Sequence, residues 1–219
     1  MARMDGRFMK PIGFRQYPIN IHIMTVQEII KSQISESARV KEIILNDSSL
    51  QDLIKRAAEV CVEAYKNGKK TMFAGNGGSA ADAQHLAGEF VSKFYFDRPG
   101  LPSIALSTDT SILTAIGNDY GFDRLFARQV QAQGNSGDIF IGISTSGNSR
   151  NIVEAGEVCK GKGIFTIALT GGKPCEMDNF DLVIKVPSES TPRIQECQTM
   201  IGHIICCIVE REIFGEKYQ

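Results

Sequence analysis

The stretch DIFIGISTSGNSR, residues 138–150, changes character twice within a few residues. Asp138–Ile143 runs apolar without alternation, Ser144–Ser149 is small and rich in hydroxyls, and a helical pattern opens at Arg150. A continuous apolar run of this length is what a strand buried on both faces shows. Four further runs of the same kind stand at Lys70–Ala74, Ser103–Leu106, Ile164–Leu169 and Leu182–Val186, each between helical or loop segments. Five strands separated in this way predict a doubly wound α/β fold, a five-stranded parallel sheet with helices on both faces. In such sheets ligands sit beyond the carboxyl ends of the strands. The loops after strands one, two and three are therefore the places to look for chemistry.

Outside the sheet, the pattern predicts a helix from Met24 to about Leu45 and a second from Leu50 to about Asn67, with a break and cap at Asn46–Ser49. Both precede any strand, so they must pack on the α/β body or on a neighbouring subunit. A last helix is expected from about Pro192 to Phe214. Its run IGHIICCIV is too apolar for a helix with one wet face, which adds to the case for a helical subunit interface. Residues 1–23 set Arg3, Arg7, Lys10 and Arg15 against Asp5 and contain no apolar core of signal-peptide length. They read as an extension, disordered or artefactual, with Met24 as an alternative start, and 24–219 as a single domain that includes the N-terminal helices.

The chain has 219 residues, 42% of them hydrophobic and 22% charged, with a formal net charge of -1. That composition excludes a mainly disordered, collagen-like or coiled-coil protein, and the charge argues against a nucleic-acid coat. No stretch approaches a membrane span. The six cysteines show no C-x-x-C spacing, which suits reduced, mostly buried thiols of a cytoplasmic protein better than a metal cluster or a disulfide framework.

The first loop is Gly75-Asn76-Gly77-Gly78-Ser79, directly before an Ala-rich helix. Glycines let a ligand approach the backbone, and the helix N-terminus favours an anion. Gly75, Gly77 and Ala80 also satisfy G-x-G-x-x-A, but a dinucleotide site wants an acid at the end of the next strand, and Ser107-Thr108 stand there. The second loop carries Ser144, Thr145, Ser146 and Ser149. One hydroxyl suffices for an N-cap, so four exceed capping needs and point to anion binding. No lysine follows in Walker spacing, which argues against nucleoside triphosphate hydrolysis.

Three histidines exist, His22, His85 and His203. Glu89 follows His85 at i+4 and shares its helix face. Taken alone, that pair is as well read as a solvated helix pair as a metal site. Gln195 and His203 lie eight residues apart on the last helix, about 80° in rotation and about 12 Å along the axis. Asn118-Asp119, in the connection after the second strand, read either as a turn or as acceptors for sugar hydroxyls.

The motifs GNGGSAADAQH, IGNDYGF, GISTSGNS and RIQE followed by His203 resemble, in order and spacing, the sugar isomerase (SIS) domain family and within it the phosphoheptose isomerases. The resemblance spans about Met24 to Phe214. It implies a flavodoxin-like fold whose N-terminal helices serve oligomerisation. It further implies conversion of sedoheptulose 7-phosphate to D-glycero-D-manno-heptose 7-phosphate through an enediol(ate), the first step of nucleotide-activated heptose biosynthesis. The implied acid–base pair is Glu89 and His203, and the implied Zn2+ ligands are His85, Glu89, Gln195 and His203, with no nucleotide cofactor. Substrate contacts carry over to Asn76, Gly77, Gly78, Ser79, Glu89, Asn118, Asp119, Ser144, Thr145, Ser146, Ser149 and Gln195. A cytoplasmic homotetramer with sites between subunits is implied, without nucleic-acid or membrane partners. The chain departs from some relatives in having Pro192, rather than an acid, before RIQE. Two non-catalytic readings share the fold, a protein that binds the replication initiator and a sugar-phosphate sensor. The joint presence of His85, Glu89, Gln195 and His203 favours the enzyme over either.

Overall fold

The computed structural model describes residues 24–215. Residues 1–23, and with them the expected extension and His22, lie outside the described residues. The chain divides into two units, 1–36 and 37–219, with the boundary inside the first helix, α1 (Val26–Leu45). In the first unit, Thr25 and Glu28 form a reciprocal cap at the start of α1. The Thr25 amide and hydroxyl donate to Glu28 Oε2 at 2.8 Å, and the Glu28 amide returns a bond to Thr25 Oγ1. Val26, Ile30 and Ile34, four residues apart, are exposed along one stripe of it.

The second unit holds the sheet. After α2 (Ser48–Lys66) come β1 (Thr71–Gly75), α3 (Gly78–Val91), β2 (Ser103–Ala105), α4 (Thr110–Tyr120), α5 (Leu125–Gln133), β3 (Ile139–Ser144), α6 (Arg150–Lys162), β4 (Phe165–Gly171), β5 (Leu182–Val186) and α7 (Thr191–Phe214). The five strands are all parallel in the order β2-β1-β3-β4-β5, the doubly wound arrangement in which the order reverses between β1 and β3. Successive residues of β1 feed opposite faces, as a pleated strand requires. Phe73 joins Ile141, Ile143 and Leu169 under α2, α3 and α7, while Met72 and Ala74 join Phe140 and Ala168 under α5 and α6. The expected fold is the observed one.

Asp47 caps α2 by accepting the Leu50 amide at 3.0 Å, so that helix starts two residues before the position the apolar pattern predicts. Its buried face, Ile54, Ala57, Cys61 and Tyr65, packs on the α/β body together with Val40 and Ile44 of α1. The apolar last helix is likewise largely accounted for within the chain, because Ile194, Cys197, Ile201, Ile205, Cys206 and Val209 are all buried. Pro192 sits in its first turn, as expected. All six cysteines are free, four of them buried, and burial pushes the Cys61 thiol up to about 12. Among the described residues no helix is long and apolar enough to cross a membrane.

One expectation is corrected. Asn118 and Asp119 do not lie in a connection; they form part of the last turn of α4. Gly117-Asn118-Asp119 has turn chemistry, but Asp109 caps the helix by accepting the Ile112 amide at 3.0 Å, and the chain turns only at Gly121. Two helices, α4 and α5, therefore separate β2 from β3. No residue of α4 is buried, which is why hydrophobic periodicity gave it so weak a signal.

Helices α3 and α7 both descend from the carboxyl edge of the sheet and so run parallel. Their cross-contacts keep a nearly constant sequence separation, 117 for Asp82–Thr199 and 118 for His85–His203. Gly202 makes the approach close, because a Cβ there would stand 2.5 Å from both methyls of buried Leu86. Gly202→Ala should therefore overpack the seam and cost about 1–3 kcal/mol. Urea unfolding should show a lower midpoint at an unchanged slope, the sign of lost stability without a change in the exposed surface.

Candidate active site

The glycine loop leaves β1 through Gly77, whose φ of 57° and ψ of -122° suit glycine alone among common residues. The Ser79 amide bonds back to the Asn76 carbonyl at 3.0 Å and closes the turn. Gly77 and Gly78 are exposed, while Ser79 is buried. Asn76 does not point freely into the loop. Its carboxamide makes a reciprocal pair with that of buried Asn151 on α6, both bonds at 2.9 Å. That pair joins the glycine loop to the helix that follows the serine loop. The sequence reading missed Asn151, since an Asn one residue inside a helix carries no special signal.

In the serine loop the hydroxyls bond to one another rather than to the helix. Ser144 Oγ lies 2.8 Å from Ser149 Oγ and 3.4 Å from Ser146 Oγ, and it accepts the Gly147 amide at 3.1 Å. Ser149 has cap geometry yet makes no side-chain bond to the first turn of α6. Thr145 and Ser149 are half-buried and Ser146 is exposed. The excess of hydroxyls noted in the sequence is thus gathered at the N-terminus of α6, where backbone amides also gather.

The third part of the site is the α3–α7 seam, read from the carboxyl edge downward. At the top, the Gln195 carboxamide lies over Gly78, so close that a Cβ at 78 would overlap it. One turn below, the Thr199 hydroxyl donates to Asp82 Oδ1 at 2.7 Å. One further turn down, His85 Nε2 faces His203 Nε2 at 2.7 Å, with the rings edge to face at 4.9 Å. Glu89 Oε1 stands 3.6 Å from His85 Nε2, and the Phe94 ring lies 5.6 Å from that of His203. Donor atoms of His85, Glu89 and His203 all fall within 4.8 Å of one another.

Three of the four expected ligands therefore converge, and Gln195 sits against the glycine loop two helical turns from His203. Asp82 was missed by the sequence reading. Its Oδ2 is buried with no hydrogen-bond partner among the described residues. Burial pushes its carboxyl up, against the pull of the Thr199 bond and of the two imidazoles. The signal was available, because Asp82, His85 and Glu89 form one stripe at i, i+3 and i+7. Asn118 and Asp119 are exposed and bond to each other, Nδ2 to Oδ1 at 2.7 Å.

Fold and site together define a doubly wound α/β protein whose polar groups gather at the carboxyl edge of the sheet, with a His–Glu–His cluster between two parallel helices. The SIS domain family matches residues 33–171. Phosphoheptose isomerase 2 of Campylobacter jejuni subsp. jejuni serotype O:2 is 64% identical over 190 residues, 86% of this chain and 94% of its own. The phosphoheptose isomerase of Aneurinibacillus thermoaerophilus is 61% identical over 194 residues, 88% and 98% of the two chains. The solved structure of a phosphoheptose isomerase from Francisella tularensis superposes with a TM-score of 0.82 at 38% identity, covering 86% of this chain and all of that one. The chain belongs to the SIS domain family and, within it, to the phosphoheptose isomerases, which are aldose–ketose isomerases.

Asn151→Ala should leave the Asn76 carboxamide unpaired and cost about 1–3 kcal/mol. Thermal denaturation should report the loss, and hydrogen exchange at the Ser79 amide, which bonds the Asn76 carbonyl, should accelerate as the glycine loop comes free.

Proposed function

We propose that this chain converts sedoheptulose 7-phosphate to D-glycero-D-manno-heptose 7-phosphate, at a site shared between copies of a cytoplasmic homotetramer. The observation that carries the reading is the convergence of His85, Glu89 and His203 on one seam, beneath loops suited to a phosphate and a polyol. Ketose-to-aldose isomerisation removes a proton from C1, returns one at C2, and moves a second proton from O1 to O2. Glu89 is the base for the carbon proton and His203 the group that exchanges the oxygen proton, a carboxylate and an imidazole being suited to those tasks. Ser144, Thr145, Ser146 and Ser149 hold the phosphate with charge-assisted bonds. Asn76, Gly77, Gly78, Ser79 and Gln195 bind the reacting end, while Asn118 and Asp119 take sugar hydroxyls.

A mixed set of two imidazoles and a carboxylate with mutually close donor atoms fits Zn2+. His85, Glu89 and His203 would hold the ion, with Gln195 as the fourth ligand that the family resemblance implies. When bound, Zn2+ supplies a Lewis acid for the carbonyl and for the enediolate oxygen. Support for assembly comes from apolar side chains left exposed, Val26, Ile30 and Ile34 on α1, Tyr120 at the end of α4 and Phe122 just after it. Free thiols suit a reducing compartment. The binding-only alternatives are not favoured, since the relatives at 64% and 61% identity are isomerases.

Purified protein should interconvert the two heptose phosphates, and Glu89→Gln should lower kcat by about 100- to 10,000-fold. Near-normal turnover in that variant would remove Glu89 from its role. A chelator should abolish turnover and Zn2+ should restore it. Ser149→Ala should instead raise KM by about tenfold or more, with little change in kcat, the effect of one lost bond to a charged group.

A further inference from the structure

The loop from residue 92 to 100 that follows α3 holds a buried ion pair that none of the motifs touches. Arg98 and Glu210 meet at 2.9 Å with both side chains 1% exposed. The Arg98 guanidinium spends its other donors on backbone. Nη1 bonds the carbonyls of Phe90 at 2.7 Å, Ser92 at 3.1 Å and Pro99 at 3.1 Å, and Nη2 bonds the carbonyl of Glu89 at 2.9 Å. The last carbonyls of a helix have no donor of their own, and a cation complements the negative end of its dipole. Arg98 is thus the C-terminal cap of α3, and one of the carbonyls it grips belongs to Glu89.

Glu210 does the matching work from α7. Its carboxylate accepts the amides of Phe94 at 2.8 Å and Tyr95 at 2.7 Å, besides the Arg98 Nε–H. Burial pushes the Glu210 carboxyl up, and the bonds from Tyr95, Phe94 and Arg98 outweigh it, so the group stays below the usual carboxylate range. Glu210 follows His203 by seven residues, two turns along on about the same face. The Phe94 backbone is held by Glu210, and the Phe94 ring lies against His203. Arg98 also stands over the Phe214 ring of α7, 5.6 Å from its centroid.

We propose that Arg98 and Glu210 are positioning residues for the proton transfer: their buried pair sets how far α3 stands along α7, and so how Glu89 meets His203. The proposal rests on the isomerase reading above. A buried ion pair adds little net stability over a well-packed apolar pair. What it does add is a fixed geometry, because the planar fork of an arginine meets several acceptors at set angles and a lysine does not. Chemistry at the other end of such a lever is sensitive, since a displacement of about 1 Å can cost on the order of 100-fold in rate.

The test measures kcat, KM and melting temperature on the full-length protein with sedoheptulose 7-phosphate, for wild type, Arg98→Lys and the double variant Arg98→Met with Glu210→Leu. Arg98→Lys should stay folded and lose on the order of 100-fold in kcat with KM unchanged. The double variant should melt below wild type, because the backbone groups of Glu89, Phe90, Phe94 and Tyr95 lose these partners, and its folded fraction should show the same selective loss of kcat. The proposal is overturned if either variant is folded with wild-type kcat, if activity falls only in step with the folded fraction, or if neither variant folds, which would make the pair a folding determinant alone. A wild-type protein without turnover would refute the isomerase reading instead.

Discussion

The close parallel packing of α3 against α7 is the constraint on which the rest of the site depends. Neither helix carries a complete set of chemical groups. Gly78, Asp82, His85 and Glu89 descend one side, Gln195, Thr199 and His203 the other, and each of the upper three levels of the seam takes one group from each. Gly202 and Leu86 set the distance at the level of the histidines, and Arg98 with Glu210 sets the offset below them. Imidazole nitrogens 2.7 Å apart are a consequence of backbone spacing as much as of side-chain choice.

The sheet supplies the second requirement, a common edge. Parallel strands deliver β1 and β3 to the same side as neighbours, so the glycine and serine loops emerge together at the point where strand order reverses. Asn76 and Asn151 then tie the glycine loop to the first turn of α6, side chain to side chain. The fold thus places the hydroxyl-rich loop, the glycine loop and the top of the α3–α7 seam around one region, although they come from widely separated parts of the chain.

How much of this was legible in the sequence depended on whether a residue's signal was local. The apolar runs gave all five strands to within two residues, because burial on both faces leaves no polar alternation to confuse them. The excess of hydroxyls in the serine loop could be counted in the sequence, and Ser144 bonds to Ser146 and Ser149. Asn118-Asp119 misled, since turn-favouring residues also occur in the last turn of an exposed helix. Asp82 could have been read from its spacing to His85 and Glu89. Asn151, Arg98 and Glu210 could not, because each acquires its meaning from a partner 75 or 112 residues away, which no local pattern encodes.

The reciprocal carboxamide pair has a consequence for the ageing of the protein. Each amide gives one hydrogen and takes one, so the arrangement tolerates no change in the count. Spontaneous hydrolysis of the Asn76 side chain would replace its nitrogen by an oxygen, setting a carboxylate against the Asn151 side-chain oxygen and adding negative charge beside the hydroxyl-rich loop. Asn76 is followed by glycine, the neighbour that least hinders attack of the backbone on a side-chain amide. Held flat against Asn151, that side chain is kept from the rotation the attack requires. The pair that joins the glycine loop to α6 also acts as a chemical preservative, and partial unfolding would set the damage in motion.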